Sequence, residues 1–152
     1  MDNFYALIIG VGGVDIPETV KDAEAISEVL INQGAYSSSN TYLLTEKNST
    51  KERIIESFDE IIKKSGITPD STVFIYYSGH GQRYPNDSKT QYDYYLKTHG
   101  ASENDKEKTM LNGNIFSEKV GEIKASIMNP FNEPDIEKKL AYIKNYEHKI
   151  KN

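Results

Sequence analysis

Two short apolar runs, Phe4-Tyr5-Ala6-Leu7-Ile8-Ile9 and Val73-Phe74-Ile75-Tyr76-Tyr77, do most to limit what this chain can fold into. Each stops at small residues, Gly10 in one case and Ser78-Gly79 in the other. Runs of that length read as buried strands, and the first reads as central in a parallel sheet, covered on both faces. Between them lie two stretches with helical spacing. Val20, Ala23, Ile26, Val29 and Leu30 follow Pro17-Glu18-Thr19 and end at Gly34. Ile54, Ile55, Phe58, Ile61 and Ile62 follow Ser49-Thr50-Lys51-Glu52, a capping box in which serine and glutamate satisfy orphan amides, and Gly66 comes after the helix end. A short strand, Thr41 to Leu44, separates the two helices. The alternation β-α-β-α-β predicts an α/β three-layer sandwich, with a three-stranded parallel sheet in order 2-1-3 and helices on both faces.

Past residue 80 the pattern loosens. Arg83 to Thr90 is polar and turn-rich around Pro85-Asn86-Asp87, Tyr92 to Leu96 reads as extended, and Ala101 to Lys108 as a charged loop. Ser117 to Val120 starts a third helix that includes Ile123 and Ile127. After Asn129-Pro130 and Glu133-Pro134, a stripe of Ile136, Leu140, Ile143 and Ile150 predicts a helix from Asp135 to Lys151. The chain therefore divides at about residue 129, with a domain over 1–128 and a carboxyl-terminal helix over 129–152.

Composition removes several function classes. A net charge of −5 without a basic stripe argues against nucleic acid as a partner. No apolar run approaches the roughly 20 residues that span a bilayer, so no membrane partner is expected. Met1-Asp2-Asn3-Phe4 lacks the features of a signal peptide, which makes cytoplasm the expected location. The 152 residues contain no cysteine, so disulfides and thiolate metal sites are excluded. His99 and His148 lack ligand spacing, and no metal or other cofactor is expected. Gly10-Val11-Gly12-Gly13 with Glu46 fails as a dinucleotide fingerprint, because the third glycine position holds Asp15 and the helix starts too late.

The chemistry-bearing element is Ile75-Tyr76-Tyr77-Ser78-Gly79-His80-Gly81-Gln82. An imidazole between two glycines follows a buried strand, at the sheet end where α/β folds place their sites. Together with Tyr5-Ala6-Leu7-Ile8-Ile9-Gly10, Val20-Lys21-Asp22-Ala23 and Asp93-Tyr94-Tyr95-Leu96, this element resembles caspase-like cysteine endopeptidase domains, and metacaspases more than animal caspases. The resemblance covers about Asn3 to Ser126, the amino-terminal part of such a domain, and implies a truncated caspase-like fold. It implies peptide-bond hydrolysis in which a thiolate attacks the scissile carbonyl and His80 moves the proton. It gives the Gly81 amide the part of oxyanion donor. Asp22 takes the position of the carboxylate that receives a basic side chain, whereas aspartate-specific caspases carry an arginine six residues earlier, where Ile16 stands. By analogy with metacaspases it raises calcium, for which no site is evident.

The nucleophile is missing. It should fall about 50 residues after the histidine, yet Ile127-Met128-Asn129-Pro130-Phe131-Asn132 has no apolar strand and no thiol. Ser126 lies in a helical pattern and reads as a surface serine. Two expectations follow: a family member inactive alone, either a truncated product or one whose cysteine half comes from a second polypeptide, or a non-catalytic interaction module that binds a protein or peptide.

Overall fold

A computed structural model describes residues 3–64 and 67–128. Strand β1 (Phe4–Gly10) leads to helix α1 (Glu18–Asn32), strand β2 (Thr41–Thr45), helix α2 (Lys51–Ile62) and strand β3 (Thr72–Ser78). The three strands form a parallel sheet in order β2-β1-β3. β1 is central, with Ile8 opposite Leu43 on one side and Tyr76 on the other, and Gly10 opposite Thr45 and Ser78.

Because side chains alternate along a strand, one register sorts both faces. Ala6 and Ile8 are fully buried on the face covered by α1, where Ala23 is buried and Ile26, Leu30, Phe74 and Tyr76 pack around them. Tyr5, Leu7 and Ile9 point the other way, into a larger core with Leu44, Ile54, Phe58 and Ile61. Helix α4 (Gly113–Met128) closes that second face through Ile123, Phe116 and Val120. Lys119 adds an ion pair between helices, its Nζ lying 2.7 Å from Asp59 Oδ1 and 3.3 Å from Glu122. The hydrogen bond to Asp59 holds its ammonium above the ordinary lysine range.

The polar, turn-rich stretch after residue 80 is a strand followed by a hairpin turn. β4 (Gly81–Pro85) and β5 (Tyr92–Leu96) form an antiparallel hairpin, and β6 (Leu111–Asn112) pairs with β5, giving a second sheet in order β4-β5-β6. Its inner face is aromatic: Tyr84 meets buried Tyr95 edge-on, with centroids 5.5 Å apart. The Asn86 side chain organises the connecting turn, accepting hydrogen bonds from the Thr90 and Gln91 amides. The charged segment read as a loop contains a helical turn, α3 (Lys106–Thr109), tied down by Thr109 Oγ1, which accepts from the Ser102 amide and donates to the Asp105 carbonyl.

Two boundaries move for local reasons. The cap of α2 is Thr50, whose hydroxyl accepts from the Arg53 amide at 3.3 Å, and not Ser49. Ser49 is buried and donates its hydroxyl to the Glu46 carbonyl, so it is occupied in the preceding turn. α4 starts at Gly113, four residues before Ser117, because the Asn112 side chain accepts from the Asn114 amide at 2.8 Å. The expected Asp135–Lys151 helix, and with it the division at residue 129, lies outside the described residues. Among the described residues no helix is long and apolar enough to cross a membrane.

Candidate functional site

The site is assembled where β1 and β3 end. Gly10 and Ser78 are opposite each other in the last rung, and the chain continues from one into the 11–17 loop and from the other into Gly79-His80. The Val11 amide donates to the Ser78 carbonyl at 3.0 Å, locking the two exits together. His80 stands between β3 and β4 with its side chain exposed.

Backbone and one phenol hold the histidine turn. The Lys97 amide donates to the His80 carbonyl at 2.8 Å. Tyr77 lies on the face that carries Ile9, and its hydroxyl reaches the Lys97 carbonyl at 2.6 Å and the His80 carbonyl at 3.0 Å. A phenol has one proton, so the shorter contact to Lys97 takes the main share. Burial pushes the Tyr77 phenol well above its ordinary value of 10.0, keeping it a donor throughout the physiological range. Gly79 is required by the same arrangement: a Cβ there would stand 2.5 Å from the Tyr77 hydroxyl oxygen and 3.0 Å from Val11 Cγ2. Residues 97–99 are themselves strapped, the Thr98 hydroxyl donating to the Thr109 carbonyl and the His99 amide to the Ser49 carbonyl at 2.9 Å.

The geometry at Gly81 follows from strand register. In an antiparallel ladder, hydrogen-bonded and non-hydrogen-bonded pairs alternate. The bond from Lys97 to His80 assigns that pair to the first kind, so Gly81 opposite Leu96 belongs to the second. The Gly81 N–H therefore points away from β5, towards the open side of edge strand β4. An outward backbone N–H of this kind is a donor that a developing oxyanion can use.

Asp22 shares this end of the sheet. Thr19 and Ala23, on either side of it in α1, abut Gly10 so closely that a Cβ on Gly10 would overlap both. Its carboxylate is exposed. The reason is helical phase: Ala23 takes the inward position in the first turns of α1, which leaves Asp22 on the rim. Ser126 is on α4, and its hydroxyl donates to the Glu122 carbonyl at 3.0 Å, a back-bond within the helix. No cluster of three or more His, Cys, Asp or Glu able to hold a metal occurs among the described residues.

Sequence reasoning missed Tyr77 and Lys97. Tyr77 had a usable signal, since strand parity sends it into the core, where a phenol must find a hydrogen-bond partner. Its removal gives a direct test. Tyr77→Phe is expected to cost about 1 kcal/mol, the net worth of a half-buried hydrogen bond, measured by urea unfolding at pH 7. The phenol ionises in the unfolded chain at about 10 and only at higher pH when folded, so its contribution is complete below pH 10 and falls above it. The variant should lack that part of the alkaline decline, and identical profiles for the two proteins would remove Tyr77 from the account.

Comparison with known proteins adds one positive finding. A family model described as the caspase domain matches residues 3–140, which carries the similarity beyond Ser126, the end of the resemblance legible in the sequence. No curated protein and no solved structure matches the chain.

Proposed function

The chain belongs to the caspase-domain family, and from that premise we propose that it presents the acid–base half of a caspase-type endopeptidase site without a nucleophile of its own. The observation that carries this is the turn at the end of β3. An exposed histidine whose backbone carbonyl is held by Tyr77 and Lys97 stands there next to an outward backbone amide, while no cysteine occurs in the 152 residues. A second polypeptide would supply the thiol. His80 then takes the thiol proton, the thiolate adds to the scissile carbonyl carbon, and the Gly81 N–H stabilises the oxyanion. As the C–N bond breaks, the imidazolium returns the proton to the leaving amine. Water, deprotonated by the same imidazole, hydrolyses the resulting thioester. Asp22 is the group to receive a basic side chain on the acyl side of the bond, as an exposed carboxylate at the rim of this sheet end.

Alone, the chain is expected to turn over no arginyl, lysyl or aspartyl fluorogenic peptide, with or without added calcium. An arginyl peptide should still bind, and Asp22→Asn should weaken it several-fold while leaving an aspartyl peptide unaffected. Turnover that survives repurification and disappears in His80→Ala would reveal another nucleophile. Equal binding of both peptides would remove Asp22 from the pocket. A second reading, a non-catalytic module that binds protein or peptide, is favoured by the exposed face of the β4–β5 hairpin.

A further inference from the structure

The hairpin that begins at Gly81 has an outer face and an outer edge, and the proposed chemistry uses only its first residue. Register places Gly81, Arg83 and Pro85 of β4 on one face with Leu96, Tyr94 and Tyr92 of β5. Five members of that face, Gly81, Arg83, Pro85, Tyr92 and Tyr94, are exposed. Tyr92 and Tyr94 keep 53% and 64% of their surface in water, a poor use of two phenols unless something covers them. Asp93 and Tyr84 face the other way, so this side of the two strands carries no carboxylate.

Arg83 is the informative residue. The chain has two arginines. Arg53 is paired with Glu56 at 2.8 Å, whereas no ion pair joins Arg83 to a carboxylate among the described residues. Its guanidinium instead lies over the Tyr92 ring, 4.9 Å from the centroid. A guanidinium over a ring face can still offer its edge N–H groups to a carboxylate with two bonds. In a protein of net charge −5, a cation that lies over an exposed phenol and has no carboxylate partner among the described residues marks a place for a negative partner.

The edge supplies the second half. β4 is terminal in its sheet. The alternation that turns the Gly81 amide outward does the same for Arg83, so both residues offer N–H and C=O to an added strand, and Pro85 offers only its carbonyl. A symmetric pairing of two copies about Arg83 would set like charges directly opposite, which disfavours a second copy as occupant.

We infer that the free edge and outer face of the β4–β5 hairpin dock an extended acidic peptide, which adds a strand to β4 and places a carboxylate on Arg83. Backbone pairing supplies affinity, while Arg83, Tyr92 and Tyr94 select for an acidic side chain between apolar neighbours. The inference does not depend on His80 taking part in chemistry.

The test uses the full chain and fluorescence anisotropy with a fluorescein-labelled Ala-Glu-Val-Glu-Ala amide. Saturable binding is expected, weakened about tenfold when both glutamates of the probe are replaced by glutamine, and to a similar degree by Arg83→Gln. N-methylation of alternate backbone nitrogens of the probe should abolish it. Arg53→Gln, which alters an already paired arginine, should leave it unchanged. The glutamine and N-methyl probes decide the matter even if Arg83→Gln folds poorly. Absence of saturable binding, equal affinity for the acidic and amide probes, or undiminished binding of the methylated probe overturns the inference. So does a wild-type dimer that Arg83→Gln converts to monomer, since the edge would then belong to a second copy.

Discussion

Gly10→Ala should cost about 3 kcal/mol or more, the upper part of the range for overpacking a closed site, and lower the melting temperature by roughly 10 °C for a chain of this size. The added methyl would overlap the Thr19 carbonyl and stand 2.7 Å from the Ala23 Cβ. Neither obstacle is a flexible side-chain end. One is backbone in the first turn of α1, and the other is a fully buried alanine packed on β1. Gly10 is also held on both sides, opposite Thr45 and Ser78, so the strand cannot step away from the helix. Relief requires α1 to lift off the sheet at the end where Asp22 and His80 emerge. A loss of that size is a large part of the roughly 5–15 kcal/mol that holds a typical domain together. Gly121→Ala is the natural control. Gly121 lies within α4 with nothing near the new methyl, so the same change should stabilise by about 0.5–1 kcal/mol through helix propensity. Chemical denaturation of the two variants should therefore move in opposite directions. A Gly10→Ala protein within 1 kcal/mol of wild type would mean that α1 is not seated on β1 as described.

The parts of the fold that sequence made legible are those with a strong period. β1 and β3 are continuous apolar runs, and α1 and α2 carry their inward residues at helical spacing, so four elements and the 2-1-3 order follow from pattern and crossover handedness. The second sheet was hidden because β4 carries polar Gln82 and Arg83 with a terminal Pro85, a sequence that resembles a turn. Pairing with Tyr92–Leu96 makes it a strand, and a single sequence does not display that pairing. The cap of α2 shifted by one residue because both Ser49 and Thr50 can cap, and Ser49 was already committed to Glu46. His80 was legible as a position because strand end, glycines and imidazole coincide. The exposure of Asp22 was not, since it depends on how Ala23 phases the helix against Gly10.

Phe58→Ala should be more damaging still, at about 3–5 kcal/mol for a buried aromatic reduced to alanine. Phe58 has no exposed surface and sits in the core between α2 and the sheet face formed by Tyr5, Leu7 and Ile9. It also meets Phe116 of α4 edge-on, with centroids 5.7 Å apart and planes at 88°, a geometry worth about 0.5–1.5 kcal/mol beyond burial. The void could not close easily, because Ile54 and Ile61, one turn away on either side, are fully buried too. The consequence reaches the site through α4, which rests on α2 and also supports β5 and β6. Loosening that contact should raise amide exchange at Tyr95 and Leu96 before it does so in β1. Phe4 offers the contrast: its ring meets that of Tyr36 at a tilt, centroids 5.3 Å apart, but is 37% exposed, so Phe4→Ala should cost only about 1 kcal/mol. A double-mutant cycle with Phe116→Ala separates the ring pair from the burial, and a coupling near zero would show that α4 is held by Lys119 and its aliphatic contacts alone. If Phe58→Ala and Phe4→Ala cost the same, the core does not lie between α2, α4 and the sheet.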